Sequence, residues 1–376
     1  MQKLNRDVKI IKRFGGLFFM CFLCLMFWNT KIMEVRRFDY EDLIEGVRND
    51  QQDYCDGELF AYRHISRVGS KNVMQKGKPF SCSLLKNLKR FNLTKEHEIN
   101  ETIPSNFPDD LIFVSAADVY YYESVKSAFA SVRRRFGSRN KFILYDLGGI
   151  KEKHEREINK MCNIELRKFD FDQLPEDVQN LQVFSWKIFI LAEVFNQATN
   201  VIYLDSSIQF VSGDYRVFFD LMTNGFQITS LMLSGYTGHS VEFATNPQMY
   251  TYLPIDFNVK KNSRMLEANL ILMHKSEATR EILKWAVLCA STLKCIDPPG
   301  TKIICDISRK AESGICNRQD QSVLSILTYN LENKNKRQGF RTIATDDPKH
   351  PNNNKQRHTT ERGQSLSKKA NLSCKG

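Results

Sequence analysis

Asn200-Val-Ile-Tyr-Leu-Asp-Ser-Ser-Ile-Gln-Phe210 is the stretch on which the reading of this chain turns. Residues 201–204 form a short, wholly apolar run, the pattern of a strand buried on both faces of a parallel sheet. The run stops at Asp205, and two small hydroxyl residues, Ser206 and Ser207, follow it. In open α/β sheets ligands bind beyond the carboxyl ends of the strands, so an acid placed there reaches a metal or a substrate. The same residues also suit a plain turn, because Asp and Ser favour turns after strands.

Reading outward, residues 184–195 predict a nearly all-apolar helix with Trp186 and Lys187 near its start. Residues 111–115 and 141–145 predict two buried strands. Between them Val125, Ala128, Phe129, Val132 and Phe136 fall on one face of a helix, and Arg133, Arg134 and Arg135 fall on its solvated side. A charged helix over 151–161 and a third strand over 163–169 follow. Downstream, 226–232 and 268–273 read as further strands, and 277–290 as a helix capped by Ser276. A last helix over 321–331 opens behind Asp320. Strands and helices in short alternation predict an α/β fold, a doubly wound, mainly parallel sheet with right-handed crossovers.

The 376 residues are 42% hydrophobic, enough for a substantial core. The net charge of +11 is carried by the ends: residues 1–13 hold +4 and 334–376 hold +8, which leaves −1 between them. That distribution excludes a general phosphate-binding surface and, with it, a simple nucleic-acid role.

Residues 1–13 form a basic tail ahead of an apolar run over 14–28, extendable to 33. A span approaching ~20 residues reads as a membrane anchor. The basic flank would stay cytosolic and the body would be lumenal, giving a single-pass type II protein of the Golgi or endoplasmic reticulum. A cleaved signal peptide is the rival reading, but no small-x-small site follows Trp28. Asn92-Leu-Thr94, Asn100-Glu-Thr102 and Asn371-Leu-Ser373 are glycosylation acceptors. Of the ten cysteines, Cys305 and Cys316 flank a short polar loop and form the favoured local disulfide; the other pairings stay open. Residues 34–108 read as a charged, loosely ordered stem and 109–332 as the folded domain. Residues 333–376, basic and poor in apolar side chains, read as a disordered tail.

Polar groups follow the predicted strands at Ser115 to Asp118, Asp146 and Asp205, and Asp320 opens a helix. In a doubly wound sheet the first and fourth strands can be neighbours, which puts Ser115 and Asp205 on one rim. A nucleoside diphosphate needs a divalent cation to neutralise its oxygens, and a carboxylate at a strand end can hold one. No Gly-rich phosphate loop and no Gly-x-Ser-x-Gly elbow occurs, which argues against NAD enzymes, P-loop NTPases and serine hydrolases of that type. His239 and His274 are isolated and read as surface or satisfied buried histidines. Plain structural roles compete at three positions: Trp186 as core, Asp146 as a turn residue and Asp320 as an N-cap.

Tyr145-Asp-Leu-Gly148, Ser185-Trp-Lys187, Tyr203-Leu-Asp-Ser-Ser207 and Asp320-Gln-Ser322 occur in this order. They resemble a domain-of-unknown-function family expanded in nematodes, of type II membrane topology and related to glycosyltransferases of the GT-A, nucleotide-diphospho-sugar transferase fold. The resemblance spans residues 110–331. It implies a GT-A-like fold in which Asp205 binds Mn²⁺ or Mg²⁺ and Ser207 stands in for the second acid of the usual Asp-x-Asp. Ser115, Ala116, Asp146, Lys187 and Ser207 would hold the nucleotide-sugar donor, a UDP-sugar. Asn269, in Glu267-Ala-Asn-Leu-Ile, and Asp320 would be catalytic, facing donor sugar and acceptor. The activity implied is a hexosyltransferase-type glycosyltransferase of the secretory pathway, acting on a glycan or glycoprotein. The family pattern has a His shortly before Asp320, where this chain reads Cys316-Asn-Arg-Gln319. That departure, with the missing second acid, keeps a degenerate relative binding a glycan or partner protein as the alternative.

Overall fold

A computed structural model describes residues 51–68, 71–100, 110–213, 231–233, 235–306, 313–338, 358–362 and 372. The expected cytosolic tail and anchor over 1–33 lie outside them. No helix among the described residues is long and apolar enough to cross a membrane.

Two short hairpins come first, β1 (Tyr54–Cys55) with β2 (Glu58–Leu59) and β3 (Arg63–Val68) with β4 (Lys71–Lys76). The parallel strands β5 (Leu111–Ala117), β6 (Lys141–Asp146), β7 (Ile164–Lys168) and β8 (Asn200–Leu204) then alternate with helices. Next come β9 (Ile208–Gly213), β10 (Leu231–Leu233), β11 (Tyr236–Ser240), β12 (Arg264–Leu266) and β13 (Leu270–His274). The main sheet has six strands in the order β10-β13-β8-β5-β6-β7, and β13 alone runs antiparallel to the other five. The fold is therefore mixed α/β with a mainly parallel sheet, as the alternating pattern predicts. Of the strand expected at 226–232, only Leu231 and Met232 are described, in β10; the remainder lies outside the described residues.

β8 and β5 are neighbours, so the first and fourth core strands share a rim. Alternation along β8 sends Val201 and Tyr203 to one core and Ile202 and Leu204 to the other. All four are buried, each contributing about 1.5–3 kcal/mol over exposure. The helices Ser185–Val194 and Glu277–Ala290 cover the first face, and Tyr122–Phe136 the second. His274 is fully buried with Nδ1 2.9 Å from Asn200 Oδ1, a core histidine.

Three expectations are corrected. Residues 51–68 and 71–100, read as a loose stem, form a layer packed on the helices. The Asn330 amide donates to the Tyr62 hydroxyl (3.1 Å), the Lys78 N–H to the Thr251 carbonyl (2.7 Å), and Glu58 pairs with buried Lys284. Its charges look like solvated stem in one dimension because their partners lie far along the chain. The tail expected from 333 is likewise partly ordered. The last helix runs Gln319–Arg337, β14 (His358–Arg362) pairs with β9, and the Cys162 N–H donates to the Leu372 carbonyl. Finally, Arg133 is not a solvated surface cation: its guanidinium donates to the carbonyls of Asn140 (2.7 Å) and Cys162 (2.6 Å). Arg134 and Arg135 are exposed, as expected.

The disulfide Cys305–Cys316 forms as expected, beside Cys55–Cys82 and Cys289–Cys295.

Candidate functional site

Beyond the end of β8 the Asp205 N–H donates to the Asn269 carbonyl (2.8 Å), and the Ile208 N–H donates back to the Asp205 carbonyl (2.9 Å). This turn leaves the Asp205 carboxylate on the rim of the sheet, with its side chain 26% exposed. Lys187 reaches it from the first turn of the Ser185–Val194 helix, which is pinned by Ser185 donating to the Ala290 carbonyl (2.8 Å). The Lys187 ammonium lies 3.0 Å from Asp205 Oδ1 and 2.7 Å from Asp320 Oδ2, and it donates to the Ala268 carbonyl at 3.2 Å. An ammonium has three N–H donors, and here three acceptors surround it.

Aromatic rings close the cage: the centroids of Tyr203, Phe184 and Trp186 lie 5.5, 5.6 and 5.9 Å from the nitrogen. Burial alone pushes the Lys187 ammonium down, but Asp205 and Asp320 outweigh it and hold the group above its ordinary range, so it stays charged. Burial pushes the Asp320 carboxyl up, against the pull of Lys187.

These groups wall a hollow of about 510 Å³. Ala116 and Ala117 from β5, the start of the Ser185–Val194 helix, Asp205 to Ser207, and Arg318 to Gln321 bound it. Both helices begin at its wall, so their positive dipole ends face the space where an anion would lie.

Backbone strain collects at the same two helix starts. Five described residues other than glycine have positive φ, and three of them, Asp56, Asn92 and Asn163, are types that tolerate it. The others are Phe184 (φ 59°) and Gln319 (φ 28°), both on the hollow. Such conformations cost on the order of 1–3 kcal/mol each and persist where the surroundings over-determine them. Phe184 is held by its N–H to the Leu181 carbonyl (3.2 Å), and Gln319 by its amide to Asp297 Oδ1 (3.1 Å).

Of the residues singled out from sequence, Ala116, Lys187, Asp205, Ser207 and Asp320 meet at this hollow. Ser115 does not line it. Val114 and Ala116 face the first core and Phe113 and Ala117 the second, so alternation turns Ser115 away. Asp146 is a turn residue, accepting from the Gly148 N–H at 2.7 Å. Asn269 also lies outside the lining: its amide donates to Glu267 Oε2 (2.8 Å), and its carbonyl fixes Asp205. Asp320 is no N-cap, because the helix opens one residue earlier, at Gln319. Trp186 is core, 7% exposed, with its indole N–H on the Leu181 carbonyl. Asp118, Tyr121, Gln182 and Arg318 line the hollow without having been assigned a role from sequence. For Arg318 the only signal is its place two residues before Asp320.

The Mn²⁺ or Mg²⁺ expected at Asp205 does not fit these residues. Among the described residues no group of three or more His, Cys, Asp or Glu side chains could hold a metal ion. An ammonium already occupies the space between the two carboxylates, and Ser207 supplies a hydroxyl where a second acid would stand. A dication beside Lys187 would meet like charge at close range.

The model of a family described as a protein of unknown function, DUF1647, matches residues 60–192, which include Lys187 and end before Asp205. No curated protein matches. Among solved structures, the chain is similar to the WbbM bifunctional glycosyltransferase at 12% identity and TM-score 0.37, covering 61% of this chain and 39% of that one. It is also similar to the galactosyltransferase LgtC (14% identity, TM-score 0.34, 57% of this chain and 70% of that one). Mouse xyloside xylosyltransferase 1 matches at 12% identity and TM-score 0.35, over 63% of this chain and 85% of that one. Likenesses this distant carry no argument about chemistry, which rests on the site itself.

Proposed function

We propose that this chain is a glycosyltransferase that moves a sugar from a nucleotide-diphosphate donor to a hydroxyl of a glycan or glycoprotein. The observation that carries the reading is the Lys187 bridge: one buried ammonium holds Asp205 and Asp320, from two separate elements, at the wall of a hollow beyond the strand ends. A second support is the order of the four sequence blocks.

In the reaction the acceptor oxygen bonds to the anomeric carbon, the bond from that carbon to the phosphate oxygen breaks, and its electron pair leaves with the nucleoside diphosphate. The acceptor proton needs a base. Three acids line the hollow. Asp118 accepts from the Tyr121 N–H (3.1 Å), and Asp320 is 5% exposed behind Lys187. Asp205 keeps a partly exposed carboxylate, so the proton role is assigned to it. Lys187 is a positioning residue that sets the direction of both carboxylates.

We place the protein in the secretory pathway, anchored by residues 14–33. Three disulfides among the described residues support an oxidising compartment. One observation favours a second reading, a glycan- or partner-binding relative without turnover: Lys187, Asp205 and Asp320 already pair with one another. The deciding experiment incubates the full chain with a set of nucleotide sugars and measures release of nucleoside diphosphate. Release from at least one donor, lost in Asp205→Asn, supports transfer; nucleotide binding without release from any donor supports the second reading.

A further inference from the structure

We infer that Arg318 grips the donor's diphosphate, with buried Lys187 as the second positive charge, and that this binding requires no divalent cation. The inference rests on the glycosyl-transfer reading and names how its donor is held.

Arg318 lies at the wall of the hollow immediately ahead of the Gln319–Arg337 helix, its N–H fixed on the Ala244 carbonyl at 3.1 Å. The residue is only partly buried. Nε donates to Gln321 Oε1 at 2.8 Å and Nη1 to the Ile303 carbonyl at 3.4 Å, both neutral oxygens. Among the described residues no carboxylate pairs with it, although three acids line the same hollow. The fully buried cations Arg63, Lys284 and Arg280 are matched by Asp53, Glu58 and Glu277, whereas partly buried Arg133, like Arg318, donates to neutral oxygens, in its case carbonyls away from the hollow. A planar fork steered onto neutral oxygens, with Nη2 left over, is suited to an oxyanion brought by a ligand.

Charge points the same way. Lys187 stands between Asp205 and Asp320, so the space a divalent cation would take between those two carboxylates is already filled by an ammonium. What it offers a diphosphate is the free side of one guanidinium, a fixed ammonium behind it and the positive ends of two helices.

The test titrates UDP, GDP and inorganic pyrophosphate into the full chain by calorimetry, once in EDTA and once in Mn²⁺, with Mn²⁺ binding to the protein alone followed by electron paramagnetic resonance. Binding of at least one of the three in EDTA, with Kd within about twofold of that in Mn²⁺, is expected. Arg318→Gln should weaken it about tenfold, ~1.4 kcal/mol, Arg318→Lys should restore part, and circular dichroism should show both variants folded. No Mn²⁺ should bind the protein alone. Binding only with Mn²⁺, or an Arg318→Gln variant equal to the parent, overturns the inference and leaves the transferase reading standing. Binding of none of the three probes under either condition removes both.

Discussion

Asp320 Oδ2 lies 2.7 Å from the ammonium of Lys187, and each residue belongs to the first turn of its own helix. The contact locks two helix starts together at the open edge of the sheet. It also fixes which carboxylate is free to act: Asp320 is sealed behind the ammonium, whereas Asp205 shares the same nitrogen from the solvent side.

Lys187→Met should destabilise the chain by about 3–5 kcal/mol, because it strands a buried carboxylate rather than merely deleting a contact. Adding Asp320→Asn should recover much of that loss. Denaturant unfolding of the two single variants and the double variant measures the coupling. Additive losses would mean that the pair is not coupled.

Asp205→Asn should leave the midpoint of unfolding nearly unchanged, since its side chain is partly exposed and Lys187 keeps Asp320. Turnover should drop by on the order of 10²-fold or more, the usual range for a proton-transfer group. Equal losses of stability and activity would reassign Asp205 to structure.

His64 is 3% exposed, and burial first, then the nearby Arg337, push its imidazole down from 6.5 to about 3, with Asp256 opposing. Between those values the unfolded chain binds a proton that the folded one rejects. Stability attributable to His64 is therefore whole above 6.5 and is lost as pH falls through the window, by up to about 1.4 kcal/mol per unit. Urea melts across pH 4 to 7 should show a shallower loss for His64→Gln; parallel curves would contradict the assignment.

A Cβ at Gly77 would stand 2.0 Å from the Tyr252 carbonyl oxygen, a backbone atom that cannot swing aside. Gly77→Ala should cost about 1–3 kcal/mol or more, since overpacking here displaces main chain. The same variant tests whether the layer at 51–100 is integral. If thermal unfolding does not change, that layer is not packed as described.

Much of the fold was legible in sequence. Residues 201–204 read as a strand buried on both faces because four consecutive apolar residues leave no solvent side, and β8 has that burial. The helices at 185–194 and 277–290 were legible from apolar content and from Ser276, whose hydroxyl accepts from the Thr279 N–H. The layer at 51–100 was not. Its signal is charge, and a charge reads as solvated until its partner is known; Glu58 meets Lys284 only in three dimensions. The site divides in the same way. Asp205, Ser115 and Asp146 stood out by position at strand ends, and Lys187 and Asn269 by their place in a resembling block; neither signal carries side-chain direction, and so Asp205 and Lys187 reach the hollow while Ser115, Asp146 and Asn269 do not.

The sequence by itself determined the alternation of strands and helices, the acid at the end of β8 and the confinement of net charge to the termini, because these follow from local periodicity and composition. Only the tertiary structure decided that Lys187 joins Asp205 to Asp320 and that Arg318 lines the same hollow with, among the described residues, no ion pair to a carboxylate. Those facts depend on distances between segments far apart along the chain, and one-dimensional order carries no distances.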